Sequence, residues 1–181
     1  MMHSPSDMIL LVDENGRPSG EEDKEKCHEG EGLLHGAFLV MVFNEKGELM
    51  LARRSARKKL WPRYWDGTLA SHYRKDVARE ATVRQRIFEE IGVRAGRPRR
   101  LFDFRYRVAY RDIGSENEIC DVFVVDGVPA ESVAPHPDEI SECRYLGLED
   151  AAGEAGKAPE GLTPWFLIAL RMYLDRFPGV R

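Results

Sequence analysis

Short apolar runs alternate along this chain with polar, turn-rich stretches, and the period changes from strand-like to helix-like in two places. MILLVDENGRPSG (8–20) predicts a strand, a turn at 14–16 and a short return strand. AFLVMVF (37–43) is continuously apolar, the pattern of a strand buried on both faces. A turn at 44–47 then leads to a partner strand, ELMLA (48–52). Further strands are predicted near 101–110, 119–125 and 141–148. Val83, Ile87 and Ile91 recur at i+4, so they stack on the core face of a helix that Asp76 caps and Gly92 ends. TPWFLIALRMYLDRF (163–177) is a second amphipathic helix, with Pro164 in its first turn. The polar stretches 21–31, 53–67, 127–140 and 153–161 read as loops. Strands, one central helix, more strands and a last helix predict an α+β chain: an α/β/α sandwich with a mixed β-sheet.

Length and composition narrow the picture. At 181 residues the chain is expected to form one domain over 1–181, with a tail and hairpin at 1–20 and the closing helix at 163–177. It is 43% hydrophobic and 32% charged, the balance of a globular protein. No apolar run approaches the roughly 18 residues of a membrane span, and the N-terminus has no basic stretch of a signal peptide, so no membrane partner is expected. Cys27, Cys120 and Cys143 are odd in number and lack CxxC spacing, which fits a reducing cytoplasm better than a disulfide framework. The net charge of −4 disfavours nucleic acid as a partner. The basic RAGRPRRLFDFRYR (94–107) reads as a solvated loop entering a strand. A monomer or weak homodimer is expected.

The candidate chemistry lies in three histidines and an acidic pair. His28 and His35 flank a polar loop, His72 sits in LASHY, and Glu116 and Glu118 lie in GSENEIC. Imidazoles with carboxylates suit a divalent metal. A spacing of two on a strand turns both acids to one face, and the same alternation puts Ala70 on the face of His72. On the central helix, Arg86, Glu89 and Glu90 share a face away from the apolar stack.

QRIFEEIGV (85–93) resembles the second half of the Nudix box. Glu89, Glu90, Gly92 and Val93 match it. Gln85 stands for the usual Arg and Arg86 for a Glu, while the upstream Gly and Glu positions fall on Ser71 and Val77. Arg at that Glu position resembles the type I isopentenyl-diphosphate isomerases of the Nudix superfamily. So do LLHGAFLVMVFNEKGELML, RRSARKKLWPRYW, SH, YRVAYRDIGSENEICDVF, PDEISECRYL and TPWF, in order over residues 8–175.

The resemblance implies a Nudix-type sandwich and an isomerase of a small-molecule diphosphate. It implies a metal, Mn²⁺ or Zn²⁺, held by His28, His35, His72, Glu116 and Glu118. It further implies a Mg²⁺ on the diphosphate helped by Glu90, and diphosphate cations Lys24, Arg54, Lys58 and Arg86. Trp165 would face the isoprene unit, although a plain core anchor of the last helix fits equally. Proton transfer falls to Glu118, assisted by Tyr106, and to a Cys whose place beside the substrate is taken here by Ala70. An alanine transfers no proton. Three functions therefore stay open: an isomerase, a Nudix hydrolase of a diphosphate, and a non-catalytic binder of prenyl diphosphates. Hydrolysis has its own obstacle, because the box lacks two carboxylates, at Val77 and Arg86.

Overall fold

The computed structural model describes residues 8–178, so the tail expected at 1–7 lies outside the described residues. Among the described residues nine strands occur in chain order: β1 (Met8–Val12), β2 (Pro18–Asp23), β3 (His35–Asn44), β4 (Leu49–Arg54), β5 (Trp65–Asp66), β6 (Leu69–His72), β7 (Arg99–Tyr110), β8 (Gly114–Val128) and β9 (Ile140–Leu146). The helices are α1 (Lys24–Cys27), α2 (Arg79–Ile91), α3 (Leu148–Lys157) and α4 (Pro164–Arg176).

β3 is the axis, and every one of its residues is buried. Phe38, Val40 and Val42 pack with Val83, Ile87 and Ile91 of α2. Leu39, Met41 and Phe43 pack on the other side with Phe166, Ala169 and Leu170 of α4. A strand covered by helices on both faces needs no polar alternation, which explains its continuous apolar run. β3 pairs in parallel with β8 and antiparallel with β6. β7 continues the sheet beyond β8, and the β1–β2 hairpin joins it where Leu11 meets His35. β4 turns back from β3 to pair with β5 and β9. The result is the expected α+β sandwich with a mixed sheet.

Local details depart from the sequence reading. Asp76 does not cap α2; it adopts a left-handed φ of 60°, and the helix starts after Ala78 without a side-chain cap. Asp tolerates that conformation better than most residues, so it serves the turn before the helix. Gly92 ends α2 as expected, with φ 71°. The stretch 153–161 is largely helical: α3 runs to Lys157 despite Gly153 and Gly156, because Leu148 and Ala151 are buried in the core. Tertiary packing here outweighs a glycine cost of about 1 kcal/mol each. The charged stretch 21–31 completes β2 and forms α1, where Asp23 accepts hydrogen bonds from the backbone N–H of Glu25 and Lys26. The stretch 53–67 contributes the end of β4 and the whole of β5.

Candidate active site

Pairing register assembles the site on the α4 face of the sheet. His72, Ala37, Cys120 and Phe104 form one row across β6, β3, β8 and β7. Ala70, Leu39, Val122 and Phe102 form the next row on the same face. On the other side of the first row, His35, Glu118 and Tyr106 stand next to one another on β3, β8 and β7. Glu116 precedes Glu118 by two residues and shares its face. His28, at the end of α1, closes the group: its carbonyl accepts a hydrogen bond from Ser115 N–H at 2.9 Å. Gly114 permits this approach, since a Cβ there would lie 2.4 Å from that same carbonyl oxygen.

Each of His28, His35, His72, Glu116 and Glu118 offers a ligand atom, and these atoms all lie within 4.8 Å of one another. The three imidazole centroids form a near-equilateral triangle with sides of 5.0, 5.1 and 5.0 Å. Nδ1 of His28 lies 2.5 Å from the Lys24 carbonyl, and Nδ1 of His35 lies 2.7 Å from that of Leu33. A carbonyl only accepts, so in both rings Nδ1 carries the hydrogen and Nε2 turns inward. His28 Nε2 stands 2.8 Å from Glu116 Oε2, yet that buried oxygen has no aligned hydrogen-bond donor among the described residues. His35 Nε2 and His72 Nε2 stand 3.2 and 3.1 Å from Glu118 Oε1. Neutral imidazoles facing carboxylates bring lone pairs together, and a cation between them resolves the conflict. The donor set and its buried, unsatisfied oxygen therefore fit a metal ion.

The electrostatics divide the rings: burial opposes charge on His35, but its hydrogen bond and charge contact with Glu118 raise its pKa. Burial, then the neighbouring His35 and His28, push the His72 pKa well below its usual value, so the ring stays neutral. Tyr106 donates to Glu118 Oε2 at 2.6 Å. Burial and then the Glu118 charge hold the Tyr106 pKa well above its usual value, so its proton stays on the phenol.

The metal group forms one wall of a cavity of about 770 Å³. Lys24, Arg54, Lys58, Arg86, Ala70 and Trp165 also line it, which brings the expected diphosphate cations and the isoprene residue into one space. Burial lowers the pKa of Lys24, with Lys58 adding to the effect. Arg54 is fixed by the basic loop, donating to the carbonyls of Trp61 and Leu60 at 3.0 Å each. Trp61 and Arg63 adopt left-handed φ values of 46° and 67° to wrap that loop around it. Arg86 donates to Glu89 at 2.7 Å and to Glu90 at 2.6 Å, and its buried Nε has no partner among the described residues. Glu90 stands outside the five-residue metal group, nearly fully buried in the grip of Arg86.

Two acids in this region carried no signal of their own in the sequence. Asp66 accepts the Trp165 indole N–H on both oxygens, at 2.9 and 3.0 Å, and also the Thr163 hydroxyl and the Gly67 N–H. Burial pushes its carboxyl up against the pull of Arg54 and these donors. Glu139 pairs with Lys58 and with Arg86. A carboxylate in an aromatic loop or before a strand is ordinary in sequence, and only the fold brings these two to the site.

Comparison with known proteins agrees with the geometry. The NUDIX domain family matches residues 33–166. An isopentenyl-diphosphate Delta-isomerase of Citrobacter koseri is 34% identical over 161 residues, covering 88% of each chain. Isopentenyl-diphosphate Delta-isomerase 1 of Photorhabdus laumondii is 35% identical, covering 87% of this chain and 89% of the relative. In fold, the crystal structure of DR0079 from Deinococcus radiodurans superposes with a TM-score of 0.73 at 19% identity, over 91% of this chain and 98% of that one. Sheet, helices and sequence kinship lead to one assignment: the chain belongs to the Nudix family and is similar over most of its length to the isopentenyl-diphosphate Delta-isomerases within it.

Proposed function

We propose that this protein is a metal-dependent isomerase interconverting isopentenyl and dimethylallyl diphosphate. One observation carries the proposal: the Tyr106 hydroxyl donates to Glu118 at 2.6 Å, at the point where Glu118 also meets the histidines. That pair can hold a proton at the cavity wall, as protonation of an alkene requires. A divalent ion at the five-residue group, Mn²⁺ or Zn²⁺, would supply positive charge that fixes the Glu118 carboxylate and makes the Tyr106 proton easier to release. A Mg²⁺ accompanying the diphosphate, near Glu90, is part of the same proposal.

Lys24, Arg54, Lys58 and Arg86 are assigned to the diphosphate, whose several negative charges need such cations. The unpartnered Nε of Arg86 is a donor awaiting an acceptor. Trp165 is assigned to the isoprene end, where its ring can stabilise a tertiary carbocation. Tyr106 and Glu118 deliver a proton to the terminal methylene. A second proton must leave the neighbouring methylene toward a base on the other wall, and Ala70 supplies none there. Slow isomerisation is the expected behaviour of such a site.

The side chain of Ala70 favours a second reading, a prenyl-diphosphate binder that retains ligand groups without turnover. Hydrolysis fits less well, because Arg86 replaces one box carboxylate and engages Glu90. Incubating the metal-loaded protein with isopentenyl diphosphate and following it by NMR separates the three. Dimethylallyl diphosphate supports the isomerase, released phosphate the hydrolase, and binding without product the binder.

A further inference from the structure

Six basic side chains line the cavity (Lys24, Arg54, Arg57, Lys58, Lys59, Arg86), and six carboxylates share it with them, two of which, Glu116 and Glu118, belong to the candidate metal group. Another stands at the proposed diphosphate position. Glu139, just before β9, extends one carboxylate oxygen to Lys58 Nζ and the other to Arg86 Nη2, at 3.2 Å for the arginine. It bridges the two cations a phosphate would need, one carboxylate charge between them.

The arrangement does not reduce to a structural latch. The 55–58 and 136–139 segments are already joined by the Arg57–Asp138 ion pair and by Ser55 N–H donating to the Glu139 carbonyl at 2.9 Å. Nor is Glu139 the main partner of Arg86. Two carboxylates share its Nη2, and Glu90, 4% exposed, is nearer at 2.6 Å, while Glu139 is 26% exposed at 3.2 Å. The weaker, wetter partner is the exchangeable one. Glu139 remains an anion at any working pH: burial opposes ionisation, but Lys58 and Arg86 hold its pKa down at about 2.

We propose that Glu139 is an internal competitor for the anion site, occupying Lys58 and Arg86 until a diphosphate displaces it. It acts as a specificity residue: a ligand with several phosphate charges can exchange for one carboxylate, whereas a monophosphate gains little by the exchange. The proposal rests on the assignment of these cations to a diphosphate, and the test keeps the two apart.

Inorganic pyrophosphate and inorganic phosphate are titrated calorimetrically into the wild-type protein, Glu139→Gln, Glu142→Gln and Arg86→Gln, with thermal melts to establish folding. Glu139→Gln is expected to bind pyrophosphate about tenfold more tightly, the scale of one charge-assisted hydrogen bond no longer surrendered. Its preference for pyrophosphate over phosphate should shrink. Glu142→Gln breaks the exposed Arg53–Glu142 pair, which lies outside the cavity, and should match the wild type within about twofold. Unchanged or weaker pyrophosphate binding in Glu139→Gln overturns the proposal, as does equal tightening in Glu142→Gln. Pyrophosphate affinity that is the same in Arg86→Gln as in the wild type instead removes the diphosphate assignment itself, and the competitor proposal with it.

Discussion

Asp66 holds Trp165 by its indole N–H with both carboxylate oxygens, at 2.9 and 3.0 Å. The contact joins the basic loop's last strand to the first turn of α4 and sets the indole as a wall of the cavity. Arg54 completes the arrangement, 3.4 Å from Asp66 and 5.2 Å from the Trp165 ring centroid. Replacing Asp66 with Asn should cost about 3–5 kcal/mol of stability, because the largely buried Arg54 and several donors lose their anion. Urea denaturation measures the loss, and a shift in tryptophan fluorescence of the folded variant reports the freed indole. A variant as stable as the wild type would contradict this role.

Metal removal should destabilise the fold. An ion present at a hundred times its dissociation constant contributes about 2.7 kcal/mol. For a chain of this size that is roughly 5–10 °C in Tm. Differential scanning calorimetry with and without a chelator measures the shift. His35→Ala should abolish the chelator's effect, since the ring is fully buried within the cluster.

Ala70→Cys should raise isomerase turnover by about 10²–10⁴-fold, the usual contribution of one acid–base group. Ala70 faces the cavity with His72 and pairs with Leu39, so the new thiol would point at the substrate space and not into α2. Turnover that stays at the level of the parent protein, in a variant that folds and binds metal, would leave the binder reading standing.

Acid should weaken the fold partly through Glu139. Its folded pKa, about 2, lies below the ordinary glutamate value of 4.5. The ion pairs therefore contribute fully above about pH 4.5, and their contribution falls away as pH drops from there toward 2. Glu139→Gln should flatten the dependence of the urea midpoint over that interval. An unchanged slope would place the acid sensitivity elsewhere.

Gly114→Ala should disturb the metal group from a distance. Its Cβ would collide with the His28 carbonyl, a backbone atom that cannot swing aside. A loss of about 1–3 kcal/mol is expected from the overpacking. Metal affinity measured by calorimetry should fall as His28 moves, whereas an inert glycine would leave both quantities unchanged.

The sequence made the central strand and both main helices legible because their apolar spacing is set by the faces they bury. Glu116 and Glu118 were readable as a pair for the same reason, since strand alternation is local. The start of α2 misled because Asp76 suits both a cap and a left-handed turn, and only the chain's path decides between them. α3 was hidden by Gly153 and Gly156, whose unfavourable local preference is overridden by packing that a sequence window does not contain. Asp66 and Glu139 were invisible as site residues, because their partners lie far along the chain, at Trp165, Lys58 and Arg86.

The parallel pairing of β3 with β8 has a kinetic consequence. His35 and Glu118 are neighbours across that pair although 83 residues separate them in sequence. Closing so long a loop is slow, and no hairpin or single helix among the described residues contains the five-residue cluster. Appearance of the metal group thus marks the completion of the whole sheet. In stopped-flow refolding, uptake of a spectroscopic ion such as Co²⁺ should lag behind the recovery of helical signal, and the ion should slow unfolding far more than it speeds folding.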